Sequence, residues 1–108
     1  MMQVLNSEKQ IQSLIECPGK KLLYIYSPGC PACEDTADIL SQCSITMELL
    51  LDKSAKIEIT KCREYCEQNE IVGVPHLILY GDDSKELSRI NFVPSQDDFL
   101  LWLSTLVD

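Results

Sequence analysis

The sequence predicts an α/β fold in which helices alternate with strands and the sheet ends in an antiparallel hairpin. Two observations carry this. Apolar runs of strand length, residues 22–26 and 76–80, alternate with segments whose apolar residues recur at helical spacing, such as Ile11, Leu14 and Ile15. A cluster of turn residues, Gly81-Asp82-Asp83-Ser84, then separates the second run from another extended stretch, residues 86–92. The resulting order is β-α-β-α-β-α-β-β-α.

Each element has its own local reason. Val4-Leu5 reads as a short strand. Ser7-Glu8-Lys9-Gln10 is a capping-box pattern with Ser7 at the N-cap, and Cys17-Pro18-Gly19 stops the helix it starts. Lys20-Lys21 leads into the first core strand, residues 22–26. Ser27-Pro28-Gly29 ends that strand. Cys30 then stands at the N-cap of a helix and Pro31 at its first position, where a missing N–H costs nothing. This helix should run through Cys43, with a break at Ser44-Ile45-Thr46; Leu49-Leu50-Leu51 either extends it or opens a loop. Residues 56–60 alternate polar and apolar as a strand, and residues 61–69 form a short polar helix. Residues 71–75 turn into the strand at residues 76–80. Ser95 caps a final helix whose stripe of Phe99, Leu100, Leu103 and Leu106, with Trp102 beside it, should lie flat on the sheet.

Composition narrows the function. A chain of 108 residues reads as one domain, residues 1–108, long enough for a single core. A formal net charge of −8 argues against nucleic acid or an anionic membrane as partner. No apolar run reaches membrane-spanning length, and the N-terminal residues lack a basic leader and a signal-peptide core, so a cytoplasmic location is expected. In that setting the six cysteines are free thiols, redox groups or ligands rather than a disulfide framework. Cys17 reads as a small residue at a helix end and Cys43 as buried filler.

The stretch that carries chemistry is Cys30-Pro31-Ala32-Cys33 at the strand-to-helix junction. The first thiol sits beside the free N–H groups of the helix, and the second lies about one turn away, within disulfide reach. A helix N-terminus stabilises a thiolate by roughly 0.3–1 kcal/mol, up to ~2 when partly buried, which lowers its pKa by less than about 1.5 units. Glu34 and Asp35 in the same turn oppose a further negative charge and reduce the gain. Cys30 is then the exposed nucleophile and Cys33 the resolving thiol. Cys62 and Cys66, at i and i+4, fall on one helix face. They are two ordinary thiols, a second redox pair or part of a metal site. By count, Cys30, Cys33, Cys62 and Cys66 also allow a zinc-binding module, the alternative to a redox enzyme.

The element order, with Cys30-Pro31-Ala32-Cys33 after the first core strand and Gly73-Val74-Pro75 before a later one, resembles the thioredoxin family. The resemblance spans essentially the whole chain. It implies a thioredoxin fold, with a central mixed sheet of four to five strands and helices on both faces. It also implies a protein disulfide oxidoreductase, reductase or isomerase, that needs no cofactor. Its partners would be proteins bearing disulfides or thiols, and an upstream reductase or oxidant. On this resemblance Pro75 is a cis-proline facing the dithiol, and Val74 offers backbone groups to a substrate chain. The departures are specific. Gly29 replaces the family's Trp before the first cysteine, and Tyr24 stands where thioredoxins carry a buried Asp, the proton acceptor for the resolving thiol. Asn91-Phe92 occupies the place of the Gly-Gly with which glutaredoxins grip glutathione. His76, the only histidine, and Lys56 are the candidates left to modulate the thiols, each weighed against a packed or solvated strand residue.

Overall fold

The computed structural model describes residues 2–107, so Met1 and Asp108 lie outside the described residues. Five strands form one sheet in the order β1-β3-β2-β4-β5, with β1 Gln3–Leu5, β2 Lys21–Tyr26, β3 Lys53–Glu58, β4 His76–Tyr80 and β5 Glu86–Ile90. β3 runs parallel to β1 and β2, whereas β4 is antiparallel to β2 and β5. The central strand β2 pairs on both edges and is covered on both faces. That accounts for its unbroken apolar run, since a strand buried on both sides has no polar alternation to show.

Among the described residues, five α-helices cover the sheet. α1 (Glu8–Glu16) and α4 (Arg63–Gln68) lie on the face where Leu23, Ile25, Ile57 and Ile78 point, with Ile11, Leu14, Cys62 and Cys66 packed against them. α2 (Pro31–Gln42), α3 (Ser44–Leu50) and α5 (Gln96–Ser104) cover the other face, where Leu40, Met47, Phe99 and Leu103 meet Leu22, Tyr24, Leu77 and Leu79. The mixed sheet with helices on both faces is the architecture expected from the sequence.

Two caps form as the residues predict. Ser7 Oγ accepts from the Gln10 N–H at 3.3 Å, while the Gln10 carboxamide accepts from the Asn6 N–H at 2.6 Å. The reciprocal arm of the capping box is thus displaced by one residue. Ser95 Oγ accepts from the Asp98 N–H at 3.1 Å.

β1 and β2 each start one residue earlier than the sequence suggests, and the larger boundary differences have physical reasons. The break in the long helix falls at Cys43, which leaves helical geometry (φ −101°, ψ 13°) and serves as C-cap of α2 and N-cap of α3, so Ser44, Ile45 and Thr46 are helical. Leu49 and Leu50 extend α3, and Leu51 closes it. β3 starts at Lys53 and stops at Glu58, because its partner β2 ends at Tyr26, opposite Glu58. Ile59–Lys61 therefore wind into a 3₁₀ turn, and α4 begins only at Arg63. β5 ends at Ile90, opposite Leu77; two residues further on it would face Pro75, which has no N–H to donate.

Lys21 is the residue whose place the sequence hides. Its side chain is fully buried, and its Nζ donates to the carbonyls of Ile15 (2.9 Å) and Cys17. The ammonium thus closes the C-terminal end of α1 and fastens it to β2, a favourable position for a cation in the field of the helix. Gly19 makes the intervening turn at φ 97°, and a Cβ there would fall 2.4 Å from the Asp52 carboxylate, which itself accepts from the Lys20 N–H at 2.7 Å. Lys21→Met should leave those two carbonyls without their donor and cost about 1–3 kcal/mol. Urea titration should show a lower midpoint at unchanged slope; an unchanged midpoint would mean the ammonium contributes nothing net.

Candidate redox site

β2 delivers the chain to one end of the sheet, and Ser27-Pro28-Gly29 turns it into α2 with Gly29 at φ 70°. Cys30 is extended (φ −105°, ψ 107°), as an N-cap should be, and Pro31 opens the helix. Cys30 Sγ accepts from the Cys33 N–H at 3.1 Å, one of the donors the helix leaves free at its start. Cys30 is half-buried and Cys33 buried at 3% exposure. The two are joined as a disulfide with Cα atoms 5.1 Å apart, an arrangement suited to a redox dithiol in which Cys30 is the more exposed member.

Beneath it lies Tyr24, whose hydroxyl donates to the Cys33 carbonyl at 2.7 Å. Burial, with a smaller push from Tyr26, raises its pKa to about 12. The phenol is therefore neutral and is not a proton acceptor at neutral pH. Tyr24 also lines a groove of about 820 Å³ bordered by Leu40, Met47, Ser54 and Lys56. Lys56 sits directly opposite Tyr24 in the β2–β3 register, and its Nζ stands 5.6 Å from the centroid of the Tyr26 ring.

The second predicted motif arrives at the same end of the sheet. Ile25 pairs with His76, which places Pro75 alongside the end of β2 from which the Cys30 turn departs. The Val74–Pro75 bond is cis. Pro75 is buried, Val74 half-buried, and Val72 (99%) and Phe92 (57%) are exposed apolar residues in the segments beside β4 and β5.

His76 goes elsewhere. Alternation along β4 puts it on the face of Ile78 and Tyr80, away from α2. It is 5% exposed, and its Nε2 has no hydrogen-bond partner among the described residues. Burial lowers its pKa, Arg89 lowers it further, and Glu86 opposes them. Around it runs a polar cluster that sequence reasoning missed. Tyr65 and Tyr80 share a hydrogen bond between their hydroxyls, and Arg89 donates to the Asn69 carbonyl at 2.7 Å and to Glu86 at 2.8 Å. Strand alternation alone could have put Tyr80 and His76 together; Tyr65 and Arg89 need the tertiary fold.

The four-cysteine zinc site is not assembled. Cys62 and Cys66 lie in the core on the α1–α4 face, while Cys33 is tied to Tyr24 on the opposite face. Among the described residues no three His, Cys, Asp or Glu side chains are grouped to hold a metal ion. The sheet separates the two pairs, which counting residues along the chain does not reveal. Cys43 is buried and Cys17 half-buried, both as free thiols.

Comparison with known proteins gives the same answer at three levels. The family model described as Thioredoxin matches residues 2–104. The SPbeta prophage-derived thioredoxin-like protein YosR of Bacillus subtilis (strain 168) is 28% identical over 82 residues, spanning 75% of this chain and 94% of that protein. Among solved structures, thioredoxin from Trypanosoma brucei brucei superposes with a TM-score of 0.85 at 12% identity, covering 99% of this chain and 91% of its own. Oxidised thioredoxin from Plasmodium falciparum gives 0.79 at 14%, with both chains fully covered.

The buried imidazole has a consequence for stability. A folded-state pKa below the unfolded value of about 6.5 means the unfolded chain binds more protons, so stability is lost as pH falls below about 6.5. Between pH 7 and 5, the wild type should lose stability relative to His76→Leu, measured by urea unfolding at each pH. A wild type that gains on the variant as pH falls would contradict the burial.

Proposed function

The chain belongs to the thioredoxin family, and from that membership we propose that it is a thiol–disulfide oxidoreductase acting on protein disulfides. The observation that supports this most is the asymmetry of the pair. Cys30 is half-buried with its Sγ accepting from the Cys33 N–H at the start of α2, and Cys33 is buried behind it.

In this reading the reduced Cys30 thiolate attacks one sulfur of a substrate disulfide. A mixed disulfide forms, and the other substrate sulfur leaves as a thiolate that takes a proton. Cys33, deprotonated, attacks Cys30 Sγ and releases the second substrate thiol. The Cys30–Cys33 disulfide remains, holding the two-electron oxidation. Val74 and Pro75, at the same end of the sheet, hold an extended substrate segment by its backbone, with Val72 and Phe92 as apolar flanks. Lys56 is the candidate modulator on the Cys33 face, because Tyr24 is neutral and His76 faces away. The partners are proteins with disulfides or thiols and an upstream reductase or oxidant. A cytoplasmic setting suits a chain that keeps Cys17, Cys43, Cys62 and Cys66 as free thiols.

Cys30→Ser should abolish reduction of the insulin disulfides, and Cys33→Ser should accumulate mixed disulfides visible by non-reducing mass spectrometry. If both variants keep wild-type turnover, the roles are wrong. Pro75→Ala should keep the fold and weaken exchange, read as a higher KM for insulin with unchanged thermal unfolding.

The poise of the pair separates reductase from isomerase. Helix N–H groups favour the thiolate and Glu34 opposes it, each by roughly 1 kcal/mol, about 20 mV for a two-electron couple. A value between about −250 and −190 mV is expected, between thioredoxin and the isomerase. Equilibration in glutathione buffers with alkylation mass shift reads it directly. A value well below thioredoxin's would show that the acidic first turn dominates.

A further inference from the structure

We propose that Cys62 and Cys66 are a second redox pair, which closes to a disulfide within the core when a small hydroperoxide reaches it. The pair lies on the opposite face of the sheet from Cys30 and Cys33, and the proposal does not rest on the function proposed for them.

On a regular helix, cysteines four residues apart point outward along similar directions and their sulfurs suit a disulfide poorly. Cys62 is not in the regular part of the helix. It is the N-cap of α4, at φ −144° and ψ 40°, which lets its side chain fold over the first turn. The Cys66 N–H still bonds to the Cys62 carbonyl at 3.0 Å, so the two residues keep the separation of one turn. The result is a direct sulfur–sulfur contact of 3.7 Å between side chains that are 0% and 4% exposed. The remaining polar neighbours of Cys62 Sγ are the Glu58 and Ile59 carbonyls, each at 3.7 Å, which cannot compete as nucleophiles. The element that must give is α4, six residues long and without a side-chain hydrogen bond at its N-cap.

The order of events follows from the enclosure of the two sulfurs. Burial raises the pKa of both thiols, and Glu8 adds to the rise at each. Cys62 is fully buried with its sulfur against the Glu58 and Ile59 carbonyls, whereas Cys66 retains 4% exposure, so Cys66 is the sulfur the peroxide meets first. Its thiolate attacks a peroxide oxygen. The S–O bond forms, the O–O bond breaks, and the leaving oxygen takes a proton to give water or an alcohol. Cys62 then attacks the Cys66 sulfur. The S–S bond forms, the S–O bond breaks, and water leaves. Two thiols and one hydroperoxide become one disulfide, one water and one further water or alcohol, with two electrons passed to the peroxide. Because the thiols are protonated and out of solvent, the pair responds to sustained oxidant rather than to each encounter.

The test uses the full chain carrying Cys30→Ser and Cys33→Ser, so that failure of the exposed dithiol cannot be mistaken for failure of this pair. The reduced protein is exposed to graded hydrogen peroxide, acid-quenched, unfolded, alkylated and cut with trypsin. Cleavage after Lys61 and Arg63 separates Cys62-Arg63 from peptide 64–85, which carries Cys66, unless a disulfide joins them. The expected result is peptide 64–85 bearing the dipeptide, with both alkylation sites lost together and restored by dithiothreitol. The same linked peptide should appear in the wild-type chain, which covers a variant that folds poorly. Adding Cys62→Ser should leave Cys66 as a sulfenic acid trapped by dimedone. The proposal is overturned if Cys62 and Cys66 stay alkylatable at doses that oxidise Cys17. Sulfinic acid at Cys66 without linkage, or equal dimedone labelling with and without Cys62, would overturn it too.

Discussion

Everything at the dithiol depends on where β2 stops. The strand is held from both edges, by parallel β3 and antiparallel β4, and both of its faces are buried, so a slip of one residue would exchange its side chains between two differently packed cores. Its last paired residue, Tyr26, fixes the start of the Ser27-Pro28-Gly29 turn and hence the position of Cys30 at the helix start. The same register places Pro75 next to that end. The hydrogen bond from Tyr24 to the Cys33 carbonyl then ties the first turn of α2 back to the strand that launched it. Two motifs far apart in sequence become neighbours because they are anchored to one strand, not because either attracts the other.

How much of this was legible beforehand varies with the range of the interaction. Caps are local, and Ser7 and Ser95 were readable because a side-chain oxygen need only reach three residues on. The strand-to-helix setting of Cys30 was readable for the same reason. Strand ends were less so, since β3 stops where β2 stops and β5 stops short of the place facing Pro75, and a partner is not visible in the strand's own residues. Cys43 shows the limit within a helix: nothing about a cysteine marks it as the point where one helix hands over to another.

Side-chain destinations were the least legible. Lys21 reads only as a lead-in to the first core strand, yet it closes the end of α1 from inside the protein. Tyr24 reads as one more apolar residue or as a missing acid, whereas it is a donor to the helix turn above it. The four cysteines that count as a zinc set are divided by the sheet, and His76, adjacent to Pro75 in sequence, is directed to the other face. In each case the face of the sheet decides, and the face is a property of the register rather than of the residue.

The bare backbone at Gly29 has a consequence for geometry at the exposed sulfur. Exchange requires the incoming S–S bond to line up with the attacking sulfur, so three sulfurs must become nearly collinear. Apart from the adjoining Pro28 and Cys30, no described residue has an atom within 4 Å of the position where a side chain on residue 29 would begin. The rim of the site on that side is therefore no higher than the main chain. A bulky neighbour there would screen off a sector of directions and oblige each partner to arrive along a fixed path. Without it, the cone of collinear approach to Cys30 stays open on that side.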